Sequence, residues 1–234
     1  MTLTGQSSSL TSAEPSQMLC DEMRASSEGI WRATIHHPFL VEVEHNTLPD
    51  EKLLYYFIQN VHYIDAAVRF TAEAVAKAPD AQSRDFALRL LDFGRNEVAR
   101  QREYVRRLDE TVTTPLDRDL APTARAYVNH LLTLAAYGGS LELFVGLMPC
   151  EWTYSEFGKR LAPIVKHPLH IEWLSTFGGE DHQDMNKDYR EIVEHLAGDA
   201  SQERRRELTS IFRTSSRYEW MFWQMSYSLE QWPV

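Results

Sequence analysis

Two short stretches carry the residue types from which covalent chemistry could be built. One is MPCEWTYSEFG, residues 148–158, with Cys150 and, one helical turn further on, Tyr154. The other is YEWMFWQMSY, residues 218–227, with Glu219 beside Trp220, Phe222 and Trp223. A thiolate is a strong nucleophile towards an electron-poor ring carbon. A carboxyl group among aromatic side chains keeps its proton to higher pH and can pass it to a ring nitrogen. Plainer readings stand beside these: a small buried hydrophobe for Cys150, a surface pair with Arg217 for Glu219. Tyr63 and Tyr127 offer hydroxyls and aromatic faces for positioning a ring, and either can equally be a core aromatic. Tyr56, Asn60, Tyr63 and Ala67 return to one side of a helix, so Asn60 and Tyr63 can read one edge of a heteroaromatic ligand together.

The elements that must position these groups read as helices throughout. Helical periodicity starts near Met18 and runs to the HHP at residues 36–38, where proline disfavours continuation. A short connector is expected next, then a long aromatic helix from about Leu53 to Ala78, preceded by Pro49, Asp50 and Glu51 as starting residues. A further helix runs from Asp80–Ser83 to about Asp109. ETVTTPLDRDLAPT is the clearest loop, and Pro122 opens a helix carrying Tyr127 and His130. Met148 and Pro149 are expected to break the chain and leave Cys150 at the start of a helix, where free N–H groups would stabilise a thiolate. Two last helices are expected over about Tyr189–Leu196 and Glu203–Leu229. Residues 1–17 are polar and read as a flexible N-terminal tail, leaving residues 18–234 as a single domain.

Composition excludes several function classes. The formal charge of −10 argues against nucleic acid and anionic membrane surfaces as partners. The three arginines between Glu203 and Glu207 are flanked by acids and read as a solvated helix face. No run approaches the apolar length of a membrane span. Two cysteines form no disulfide framework, and no secretory signal precedes them, so free thiols and a cytoplasmic location are expected.

Four pieces in order, residues 37–64, PTARAYVNHLL at 122–132, LMPCEWTYSEFG at 147–158 and YEWMFWQMSY at 218–227, resemble the thiaminase II (TenA) family. The resemblance covers roughly residues 18–230, and its most specific piece is MPCEWTYSEFG. It implies an all-α, haem-oxygenase-like helical bundle with a buried pocket, assembled as a homotetramer and using no metal or cofactor. It also implies an aminopyrimidine hydrolase of thiamin salvage, which displaces the group on the pyrimidine methylene and leaves hydroxymethyl pyrimidine. On this resemblance Cys150 is the nucleophile and Glu219 the catalytic carboxylate. Tyr63, Tyr127, Tyr154 and Phe177 fall on substrate-binding positions.

Three positions depart from the family pattern. The ring-recognising aspartate of a Gln-Asp pair is Asn60 here, after Gln59, which keeps the shape and loses the charge. Phe177 stands where tyrosine is frequent. Asn46 replaces a glycine before Thr47-Leu48-Pro49, a change that a left-handed turn tolerates. A metal-dependent oxidase on the same scaffold is the alternative enzyme, with His62, Glu97 and His182 as donors beside Asp184 or Asp188; no HExxH-type spacing enforces it. The other alternative is a non-catalytic pyrimidine-binding or regulatory protein that retains the pocket.

Overall fold

The computed structural model describes residues 18–234, so the tail expected over residues 1–17 lies outside the described residues. Those described fold into ten helices: α1 (Leu19–Ser26), α2 (Glu28–Ile35), α3 (Pro38–His45), α4 (Asp50–Lys77), α5 (Ala81–Asp109), α6 (Pro122–Tyr137), α7 (Ser140–Leu161), α8 (Pro168–Gly178), α9 (Glu180–Ala197) and α10 (Gln202–Ser228). The expected all-α class is what the chain adopts. Helices α4 and α5 form a long antiparallel pair across a short turn, where the Asp80 carboxylate caps α5 by accepting from Ser83 N–H at 2.8 Å. Helices α7 and α10 run through the middle and pack on one another and on α4, α6 and α2 or α9.

Aromatic side chains fill the centre. Trp31, Trp173, Trp223, Tyr56 and Tyr127 are all buried. Trp223 of α10 stacks on Tyr56 of α4 at 5.0 Å and lies 5.7 Å from Tyr154 of α7. Each such ring removes about 150–250 Å² from water, so this layer is a dominant source of cohesion. The chain end contributes too: the Glu230 carboxylate accepts from the Thr123 N–H at 2.9 Å and hydroxyl at 3.0 Å, capping α6 after Pro122.

Several local expectations are corrected. The connector after His36–Pro38 is a helix, α3, whose Phe39, Leu40 and Val43 are buried and whose start is capped by the His37 ring. The N-terminal stripe is split at Ser27 into α1 and α2. The segment before Tyr189 holds all of α8 and the first half of α9. Arg205 is not on a solvated face: it is buried and reaches Glu22 of α1 at 2.8 Å. Asn46 does adopt the left-handed conformation, at φ 56°, and its carbonyl oxygen receives Lys166 N–H at 2.7 Å and His167 N–H at 3.0 Å.

The largest correction concerns α7. It runs through Pro149 without ending, because Leu143 to Pro149 are all buried between neighbouring helices. A proline inside a helix costs about 3 kcal/mol, less than the burial of that run contributes. Two glycines permit the contacts α7 makes. A Cβ on Gly146 would lie 2.4 Å from Leu134 of α6, and one on Gly158 would lie 2.7 Å from the Phe177 Cβ of α8. Helix propensity alone predicts that Gly158→Ala stabilises by about 1 kcal/mol. The α7–α8 contact predicts the reverse, a loss of about 1–3 kcal/mol by overpacking. A denaturant melt decides between them, and we expect a lower midpoint.

Candidate active site

Asn60 and Tyr63 of α4, Cys150 and Tyr154 of α7 and Phe177 of α8 line one narrow cleft, together with Glu97, Gln101 and Phe93 of α5. Five of the seven residues singled out in the sequence therefore meet around one space. The remaining two, Tyr127 of α6 and Glu219 of α10, do not line it but are buried close to Tyr63 and Cys150. The Tyr127 hydroxyl donates to Glu219 Oε1 at 2.6 Å, and the Tyr63 and Tyr127 rings are 4.9 Å apart. Glu219 and Cys150 lie near enough to shift one another's protonation. The surface pairing of Glu219 with Arg217 does not occur; the carboxyl is buried.

Burial dictates the protonation of this cluster. It pushes the Glu219 carboxyl up to about 7, against the lowering effect of the hydrogen bonds from Tyr127 and Cys150. It also pushes the Cys150 thiol well up, and Glu219 and Glu151 add to that rise. The expectation of a helix-start thiolate is thus overturned. Cys150 lies midway along α7, whose interior N–H groups are already bonded, so no free backbone donors face the sulfur. The resting group is a thiol beside a carboxyl that is close to half-ionised at neutral pH. Burial likewise raises Tyr63 and Tyr127, so both hydroxyls stay protonated.

One polar group in the cleft is conspicuous by its lack of a partner. The Tyr63 hydroxyl is buried and unbonded, an arrangement that costs about 1–3 kcal/mol unless a ligand supplies the bond. Tyr154 is bonded to Tyr56 at 2.5 Å, and its ring meets Phe177 at 4.9 Å edge-on. Asn60 donates to Tyr56 at 3.1 Å and to Gln101 at 2.9 Å. Phe177 also touches His182 of α9, at 5.1 Å between rings.

Sequence reasoning missed Tyr56, Gln101 and Glu151 and assigned Glu97 and His182 to a different role. Glu97 bonds Gln101 and Arg100, whereas His182 faces Glu151 at 3.2 Å and His62 bonds the Arg118 carbonyl on the surface. These three are not brought together, and no group of three or more metal-ligating side chains occurs among the described residues. The i, i+4 spacing of Glu97 and Gln101 was visible, but on a helix so rich in charge it reads equally well as a solvated face.

A helical bundle with a thiol, phenols and an amide around one cleft, and a buried carboxyl beside it, defines an all-α class of protein. The chain belongs to the TENA/THI-4/PQQC family, whose model matches residues 24–229. An aminopyrimidine aminohydrolase from Bacillus subtilis (strain 168) is 27% identical over 214 residues, covering 91% of both chains. Another, from Halalkalibacterium halodurans, is 28% identical over 210 residues, covering 88% of this chain and 94% of its own. A TenA homologue from Pyrococcus furiosus superposes with a TM-score of 0.80 at 26% identity, over 90% of this chain and all of that one. A TenA family transcription regulator from Silicibacter sp. TM1040 superposes with a TM-score of 0.77, also at 26% identity, over 90% and 96%. No helix among the described residues is long and apolar enough to cross a membrane.

The buried carboxyl makes stability depend on pH with a defined sign. Below about 4.5 Glu219 is protonated in folded and unfolded chains alike and costs nothing. Between about 4.5 and 7 the unfolded chain ionises this carboxyl while the folded chain keeps it protonated, so stability falls as pH rises, by on the order of 3 kcal/mol once the folded pKa of about 7 is passed. Glu219→Gln, which keeps the acceptor for Tyr127, should therefore be more stable than wild type at pH 8 and equal to it at pH 4.5. Urea unfolding at the two pH values measures this.

Proposed function

We propose that this protein is an aminopyrimidine aminohydrolase of thiamin salvage, releasing hydroxymethyl pyrimidine with Cys150 as nucleophile and Glu219 as proton carrier. The observation that carries the proposal is a thiol in the cleft with a buried carboxyl nearby, the latter held by the Tyr127 hydroxyl at 2.6 Å, beside a Tyr63 hydroxyl that lacks a partner. The relatives of similar length support the substrate class. In this reading the Cys150 sulfur adds to an electron-poor ring carbon. Its proton passes to the Glu219 carboxylate, and a proton from this cluster reaches a ring nitrogen by way of the Tyr63 hydroxyl that lines the cleft, so no charge accumulates there. The electron-rich dihydro ring expels the amine, protonated as it leaves, from the exocyclic methylene. Water adds to that methylene, and departure of the sulfur restores the aromatic ring and the thiol. Tyr63, Tyr154 and Phe177 hold the ring, Tyr127 holds the Glu219 carboxyl from outside the cleft, and Asn60 meets the edge of the ring.

The active form holds one proton between Cys150 and Glu219. A second proton blocks acceptance of the thiol proton, so kcat/KM should fall as pH drops below about 7, and this limb should vanish in Glu219→Gln at a much lower rate. Mass spectrometry of hydroxymethyl pyrimidine formed from aminomethyl pyrimidine and from thiamin supplies the test. Cys150→Ala should reduce turnover by about 10³-fold or more. Full turnover in that variant would refute covalent catalysis. Ligand binding without product in the wild-type protein would favour a binding or regulatory role. The homotetramer and the cytoplasmic location belong to the same proposal; exposed Leu132, Tyr137, Trp220 and Met221 offer apolar surface for assembly.

A further inference from the structure

Asn60 stands at one end of a line of hydrogen bonds that leads away from the cleft through α5. Arg100 holds one oxygen of Glu97 through Nε at 2.8 Å and Nη2 at 2.6 Å. The other oxygen of Glu97 accepts from Gln101 Nε2 at 2.8 Å. Gln101 Oε1 accepts from Asn60 Nδ2 at 2.9 Å, and the second hydrogen of that amide goes to the Tyr56 hydroxyl at 3.1 Å. Glu97, Gln101, Asn60 and Tyr56 are all buried, so none can exchange its partner freely for bulk water.

An amide has a donor end and an acceptor end, and only its neighbours decide which way it faces. Here a carboxylate decides. Paired with Arg100, Glu97 offers acceptors alone, so Gln101 must turn its NH2 towards it. The Gln101 carbonyl is thereby turned towards Asn60, which must answer with its own NH2. Both hydrogens of the Asn60 amide are then engaged, and its carbonyl oxygen is what remains for the cleft. An unconstrained asparagine can read a heterocycle with a donor and an acceptor side by side; this one can only accept.

We propose that Arg100, Glu97 and Gln101 are positioning residues that make Asn60 an uncharged, acceptor-only specificity group, selecting ligands that present a neutral N–H donor such as a ring amino group. The proposal deepens the aminopyrimidine reading of the cleft and rests on it. It also explains why position 60 carries an amide. An aspartate there would oppose the Gln101 carbonyl or, if Gln101 turned over, would set that carbonyl against Glu97. A single glutamine can serve a carboxylate on one side only.

The relay is tested without ligand by thermal unfolding at pH 8 of wild type, Asn60→Asp, Glu97→Gln and the double variant. Asn60→Asp should lower Tm by about 5 °C or more. The double variant should regain most of that loss, since the amide introduced at position 97 can donate to a turned-over Gln101. Additive losses would overturn the relay. Specificity is tested by calorimetric binding of hydroxymethyl aminopyrimidine and of its analogue with methoxy in place of the ring amino group. Wild type should favour the amino compound by about 30-fold or more, and Glu97→Gln should cut that preference by roughly tenfold as Asn60 becomes free to turn. An unchanged preference would overturn the specificity role even where the stabilities are coupled. Wild-type protein that binds neither compound would overturn the aminopyrimidine reading and this specificity role with it, while coupled stabilities would still uphold the relay.

Discussion

A carboxyl group in the middle of an aromatic core is tolerable only if something receives its oxygens, and the Tyr127 hydroxyl does so for Glu219 at 2.6 Å. Much else in the centre of the bundle is arranged around that bond. Tyr127 is delivered by α6, whose first turn is tied to the segment after α10 through Glu230, and Glu219 by α10, on which Phe222 and Trp223 are buried too. The bond does not compensate fully for desolvation, which is why the carboxyl stays poised near neutrality. A stronger set of donors would have held it permanently ionised, and a surface position would have left it an ordinary glutamate.

Helix α7 supplies the other half of the pair. Its passage through Pro149 carries Cys150 into the body of the bundle, away from any free helix end, and burial then keeps the sulfur protonated. In the proposed reaction it is the neighbouring Glu219 that would activate the sulfur, so the thiol and the carboxyl would act as a unit. Gly146 and Gly158 let α7 approach α6 and α8 closely enough to bring Tyr127 and Phe177 to the same region. The site is thus a product of helix spacing as much as of residue identity.

Around this centre the cleft wall mixes aromatic and aliphatic side chains, and most of its polar groups are bonded within the protein. The Tyr63 hydroxyl is the exception. Tyr154, Tyr56, Asn60, Gln101 and Glu97 form a continuous series whose members fix one another's orientation, with Arg100 at its outer end. The loss of charge at position 60 is accommodated by this series, because the neighbouring carboxylate at Glu97 already polarises it.

The amino-acid sequence by itself determined the helical class, most of the long helices and the identity of five cleft residues. Apolar residues at helical spacing, the prolines at helix starts and the paired motifs around Cys150 and Glu219 are local or nearly local signals. It also specified the turn at Asn46, since few residues adopt a positive φ without strain. The structure alone decided that α7 continues through Pro149, because the burial that outweighs the broken hydrogen bond comes from helices distant in sequence. For the same reason it alone decided that Cys150 is a thiol, that Arg205 is buried against Glu22, and that Glu97 and Gln101 belong to the cleft rather than to a solvated face. Periodicity tells which side of a helix is apolar; which partner that side meets, and what happens to a charge trapped between them, is a property of the packed bundle.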